Sequence, residues 1–284
     1  NRVVLNNFSD LNWVYWTIIF PPGGEGVSVL KTEWLKLKRT PIKWLVFGLP
    51  VLLSSLLVWY FSNRKITPTL ELSIFSTFFQ VWAALVVPVG TGLLAGLMVQ
   101  QEERAGDCWN LLSSKTSRTR VYLGKLGMQI LLSSISTAFA LGTLLLGLRY
   151  VLQLPVSCFS FLVAALIVEA TTIPLLALHL WISLAWGMGP SIGMGGGGLL
   201  LGALMVTPLG DAVWPYIPWG WPVRLWVLPL FYLAKSKGIS LSEDLFTLLM
   251  VKGSLYAVVF LLLLLVGGLV WFNKWEGRKT WRRF

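Results

Sequence analysis

Six stretches of this chain are each apolar over close to the length of a bilayer crossing: Ile42–Phe61, Ile74–Val99, Leu126–Leu148, Val156–Trp186, Ile192–Thr207 and Gly253–Phe272. About 20 mainly apolar residues in a helix cross a hydrocarbon core. Inside lipid, only helices and closed barrels satisfy their own backbone hydrogen bonds. The pattern predicts an all-α integral membrane protein with six transmembrane helices. The fourth stretch is over-long and holds Pro174, which predicts a tilted or kinked span. The fifth is short and rich in glycine. Charged residues make up 12% of the chain, against roughly 25% in soluble domains, so lipid must solvate most of it.

The formal charge of +11 follows topology rather than a nucleic-acid partner. Lys31, Lys36, Lys38, Arg39 and Lys43 precede the first span or sit at its mouth. Arg104, Lys115, Arg118, Arg120 and Lys125 lie between the second and third, and Lys274, Arg278, Lys279, Arg282 and Arg283 follow the sixth. With six spans, these fifteen of the 23 basic residues share one side. Basic residues are retained in the cytoplasm, so both termini are expected inside.

The segment Val213–Ala234 is also apolar, but it contains Pro215, Pro218, Pro222, Pro229 and Arg224. Prolines remove backbone donors, which lipid does not replace. It reads as an interfacial outer loop, with Trp214, Tyr216, Trp219, Trp221 and Trp226 at headgroup level. Residues 1–28 are set apart as an N-terminal extension, either lipid-surface or non-native. Leu11–Phe20 is too short to span, and Pro21-Pro22-Gly23-Gly24 breaks any helix. Leu30, Trp34 and Leu37 recur at helical spacing among lysines, so residues 29–40 read as an interfacial amphipathic helix or simply as a basic flank.

Catalytic chemistry finds little support. Gly189-Pro190-Ser191-Ile192-Gly193 matches the hydrolase nucleophile pattern, but that motif needs a strand-to-helix turn with acid and histidine partners. Here it opens a glycine-rich span, with Ser191 expected near the helix N-cap. His179 is the single histidine and has no metal-ligand spacing around it. Glu169 lies ten residues earlier, about 15 Å along a helix axis, so the two do not pair directly. A carboxylate at mid-span costs roughly 2.5–3.5 kcal/mol on insertion scales. Glu169 is therefore a candidate for a transport path, or a structural carboxyl facing another helix. Gly92/Gly96, Gly193/Gly197 and Gly198/Gly202 have small-xxx-small spacing and predict close helix packing. Cys108 and Cys158 are expected on opposite membrane faces and unpaired. The chain has no metal set and no GxxxxGK[ST] phosphate loop, so nucleotide energy must come from another polypeptide.

Between the second and third spans lies Gln101–Lys125, QEERAGDCWNLLSSKTSRTRVYLGK, a dense patch of mixed charge around a Trp109/Leu111/Leu112 knob. Apolar anchors ringed by charge suit a protein interface. Three stretches then carry a family resemblance. They are Lys31–Pro41, the run Glu102–Gly106 through Leu111-Leu112-Ser113, Ser117-Arg118 and Gly124-Lys125, and Tyr216–Pro222. Over roughly residues 29–284 the chain resembles type-2 ATP-binding-cassette exporter permeases. It looks most like the lantibiotic-immunity subgroup, which expels antimicrobial peptides from the producing cell's membrane.

The resemblance implies a cytoplasmic coupling helix between spans two and three. Glu102, Glu103, Arg104, Gly106, Trp109, Leu111 and Leu112 would form the surface that meets the ATPase. The chain departs from the family pattern at Asp107, where threonine commonly follows the glycine. ATP and Mg would be bound by a cytoplasmic ATPase dimer, this chain holding no cofactor itself. A second six-span permease would complete the transporter in a bacterial cytoplasmic membrane. Trp214, Tyr216, Trp219 and Trp221 would be candidate contacts for a cationic peptide. Two other readings stay open: a membrane enzyme using Glu169, His179 or Ser191, and a non-transporting anchor or sensor.

Overall fold

The computed structural model describes residues 34, 42–65, 67, 69–104, 117–154, 156–236 and 244–277. Among them there is no strand, and six helices are long and apolar enough to cross a membrane. These are α1 (Trp44–Ser62), α2 (Leu70–Arg104), α3 (Arg118–Tyr150), α4 (Cys158–Trp186), α5 (Met188–Val206) and α8 (Asp244–Lys274), whose membrane-grade part is Leu248–Lys274. Between α5 and α8 lie the short α6 (Gly220–Arg224) and α7 (Val227–Ser236). Of the amphipathic segment expected at 29–40, Trp34 alone is described. It is helical and packs, half-buried, on the core beneath α1.

The helices overrun the apolar stretches. The 33 residues of α3 extend about 50 Å, against a hydrocarbon core of about 30 Å. Its first two turns, with Arg118 and Lys125, therefore belong to the helix rather than to a loop. Arg118 reaches the backbone at the end of α8, and the last turn of α2 meets α3. The ends at Arg104, Arg118 and Lys274 thus share one face with the α4–α5 turn, called the basic face below. That turn is the single residue Gly187 at φ 98°, a left-handed backbone that other residues adopt only under strain. The opposite, aromatic face is capped by residues 207–236.

Two π-helical turns, Trp44–Gly48 and Trp82–Val86, lie just ahead of Pro50 and Pro88. A proline ring clashes with the carbonyl four residues back and cannot donate to it. Widening the preceding turn removes that clash without ending the helix. In α4, Pro174 is accommodated within one unbroken helix.

α2 and α5 cross backbone to backbone. A Cβ on Gly92 would lie 2.7 Å from the Ser191 carbonyl, and one on Gly195 would lie 2.7 Å from the Pro88 carbonyl. Gly202 approaches Ala84, whose carbonyl Pro88 cannot bond. The buried stripe of α5 is Ser191, Gly195, Gly198 and Gly202, whereas Gly193 and Gly197 face open space. Of the expected glycine pairs on α5, Gly198/Gly202 is buried, with Gly202 against α2 and Gly198 against the Trp219 indole, and Gly193/Gly197 is not. Helical rotation allows only one stripe to face α2.

The aromatic cap corrects a second expectation. Trp214, Trp219 and Trp221 are 3%, 8% and 2% exposed, and Trp226 is also buried; Tyr216, at 63%, is the exposed ring. The prolines divide 207–236 into short turns that fold inward. There the indoles fill spaces left by glycine, Trp219 over Gly198 and Trp214 over Gly253. Trp221 Nε1 donates to the Pro215 carbonyl at 2.7 Å, and Trp226 stacks on Phe79. Arg224 also has a structural task. Its guanidinium donates to the Met205 and Thr207 carbonyls at the end of α5, at 2.6 and 2.9 Å, and pairs with Asp211. The last helical carbonyls have no partner within the helix, and a cation there suits the dipole. In the same way Glu71 of α2 accepts from the Ser157 N–H, at 2.8 Å, at the start of α4.

Candidate functional site

On the basic face, α2 delivers Glu102, Glu103 and Arg104 in its last turn. Gly106, Trp109, Leu111 and Leu112 lie outside the described residues. Glu102 is not on an open surface: it is 4% exposed and accepts from Lys125 Nζ at 2.8 Å, with Lys125 itself 0% exposed. A charge in so apolar a setting persists only when paired. Glu103 is half-buried and Arg104 exposed. Of the predicted docking residues described, Arg104 is thus the open one. Sequence reading missed the Glu102–Lys125 pair. Its signal was opposite charges at the two ends of one polar stretch, each close enough to a span to become helical.

A second polar group lies at mid-span. Glu169 accepts from Thr137 Oγ1 at 2.9 Å and Ser134 Oγ at 3.4 Å, both on α3. Thr137 in turn accepts from Trp82 Nε1 of α2 at 3.3 Å. Among the described residues no cation pairs with Glu169. Thr137 also lines a small cavity with Ser133, Ser136, Thr91 and Thr172, of about 50 Å³. A space of that size with hydroxyls on its wall can hold water. The arrangement can therefore keep a carboxyl group at this depth through neutral donors alone.

The third group joins α2, α4 and α5. Ser191 Oγ donates to the Gly92 carbonyl at 3.0 Å and lies 3.3 Å from His179 Nδ1. A hydroxyl has one proton. With that proton directed at the Gly92 carbonyl, the serine must accept from His179, so the imidazole donates rather than acting as a base. Activation of a nucleophile needs the reverse polarity. Ser191 sits in the first turn of α5, near the N-cap Gly187 as expected, and its hydroxyl bonds across to α2 rather than capping its own helix. His179 and Glu169 have separate partners, on α5 and α3, and do not form a dyad. Among the described residues no three His, Cys, Asp or Glu side chains gather to hold a metal.

On the aromatic face, Tyr216 packs against Tyr256 with ring centroids 5.2 Å apart and stays open on its other side. The buried indoles offer no free ring face to a ligand.

No curated protein and no solved structure matches the chain. Residues 29–192 match the family described as ABC-2 family transporter protein, a stretch of more than half the chain that runs from before α1 into α5. Six apolar helices in one bundle agree with that match. The chain belongs to the ABC-2 transporter family: it is a multi-pass membrane permease subunit of an ATP-binding-cassette transporter, which operates with an ATPase partner.

Proposed function

We propose that this permease serves an ATP-driven exporter that expels amphipathic antimicrobial peptides of the lantibiotic type, giving immunity to a bacterium that carries it in its cytoplasmic membrane. The basic face is cytoplasmic, by the distribution of Lys and Arg. The ATPase docks on residues 103–112, with Glu102 turned inward to Lys125 beside them, and ATP and Mg bind in that subunit. A second copy or a homologous six-span permease completes the pore.

One observation carries the docking reading. On the basic face α4 and α5 are joined by Gly187 alone, whereas α2 and α3 are separated by residues 105–117. Of the two connections between spans on that face, only 105–117 has the length to form an interface. Glu169, held by Thr137 and Ser134 with no paired cation among the described residues, is the proposed contact along the path. Of the four outer-loop candidates Trp214, Tyr216, Trp219 and Trp221, Tyr216 is the ring that remains available to cargo.

The test is to express the chain with its cognate ATPase in a peptide-sensitive bacterium. Survival against a panel of membrane-active peptides is measured together with co-purification of the ATPase. Protection that disappears with ATPase binding in the Trp109→Ala/Leu111→Ala variant supports the reading. Normal binding and protection in that variant, correctly inserted, would remove 105–117 as the docking site. Protection that is unchanged by Glu169→Gln would remove the charge of Glu169 from the path.

A further inference from the structure

Four side chains attach the first two turns of α3 to its neighbours. Arg118 donates to the carbonyls of Asn273 and Trp275, at 2.9 and 2.7 Å, where α8 ends. These are terminal carbonyls that the helix itself leaves unbonded. Thr119 and Asn273 add a side-chain contact at 3.4 Å. Tyr122 is fully buried, with its ring 5.7 Å from Phe272 and its hydroxyl against Gly268, where no larger residue fits. Lys125 then closes on Glu102 of α2. Within one short helical segment, α3 is bound both to the end of α2 and to the end of α8.

A buried ion pair is a poor source of net stability, because desolvating two charges offsets most of their attraction. Its effect is geometric. It sets one register of α2 against α3, and the Arg118 bonds do the same for α8. We infer that the start of α3 is a lever: Lys125–Glu102 and Arg118 make the basic-face ends of α2, α3 and α8 move as one body when the 105–117 segment is displaced. Without these bonds the displacement would be absorbed by fraying or sliding of α3. This rests on the docking reading above, and it assigns Glu102, Arg118 and Lys125 as positioning residues rather than ATPase contacts.

The test uses the complete transporter, purified with its ATPase and reconstituted in liposomes. ATP hydrolysis, peptide transport and ATPase stoichiometry are measured together. The Glu102→Gln/Lys125→Met double variant removes both charges, so neither is left buried alone. It is expected to keep ATPase binding and hydrolysis while transport per ATP falls about tenfold, within the usual range of coupling between sites. Arg118→Gln, near the surface, gives an independent second variant with the same expected split. The exchanged pair, Glu102→Lys/Lys125→Glu, is expected to recover part of the coupling.

Wild-type transport per ATP in both neutral variants overturns the lever. Loss of ATPase binding in them also overturns it, since the pair would then shape the docking surface itself. Failure of the wild-type chain to bind any ATPase through 105–117 overturns the docking reading instead, so the two failures are distinct.

Discussion

Replacing Gly195 with alanine tests the packing of α2 on α5 most directly. The added Cβ would lie 2.7 Å from the Pro88 carbonyl oxygen and 3.6 Å from the Gly92 Cα. Ordinary carbon–oxygen contact begins near 3.4 Å, so the helices must separate by a good fraction of an ångström. The obstacle is backbone, and no side-chain rotation relieves it. Overpacking of this kind costs about 1–3 kcal/mol. Alanine also gains about 1 kcal/mol of helix propensity over glycine, which partly masks the cost. Gly197→Ala provides the control, because it lies on the same helix with open space around its Cβ. The propensity gain cancels between the two variants, leaving the overpacking cost of about 1–3 kcal/mol as their difference. Reversible unfolding in mixed micelles, read by near-ultraviolet circular dichroism, measures it. Equal stability of Gly195→Ala and Gly197→Ala would refute the backbone contact.

Other expected outcomes follow from single contacts. Lys125→Met leaves Glu102 buried without this partner and is expected to cost about 3–5 kcal/mol, with most of it recovered on adding Glu102→Gln; unfolding of the single and double variants checks this. Thr137→Val strips Trp82 Nε1 and Glu169 of a shared partner and should cost about 1–3 kcal/mol, more than Ser134→Ala at its longer distance. The same unfolding measurement ranks the two. Trp219→Ala empties a packed site over Gly198 and should destabilise by about 3–5 kcal/mol, whereas exposed Tyr216→Ala, losing only its ring contact with Tyr256, should cost about 1 kcal/mol. Loss of protection with intact folding in Tyr216→Ala would be the sign of a cargo contact. Arg224→Gln gives up a charged cap on α5 and an ion pair, for an expected loss of about 2 kcal/mol in the same assay.

The spans were legible because membrane insertion is nearly a local sum. Each residue of Leu126–Leu148 contributes its own transfer free energy, and no partner is needed to decide that the stretch enters lipid. The glycines of α5 show where this stops. Their spacing announced a close contact, but the facing stripe depends on how α5 is rotated toward α2, which no window of residues contains. The aromatic cap shows the same limit. Tryptophan is favoured at a membrane interface and also fills large voids in a core. Only the inward fold of 207–236 selects burial for Trp214, Trp219 and Trp221 and leaves Tyr216 outside.

The polar stretch between α2 and α3 marks the boundary between the two kinds of knowledge. Its charge alone excluded it from hydrocarbon, because solvation is carried by the residues themselves. The tertiary structure decided that Glu102 turns inward to Lys125, that Arg118 binds the end of α8, and that the Ser191 hydroxyl donates to the Gly92 carbonyl. Each of these depends on groups distant in sequence meeting at hydrogen-bond range. Such interactions acquire their energy only when the helices have a definite register, and that register is set by packing.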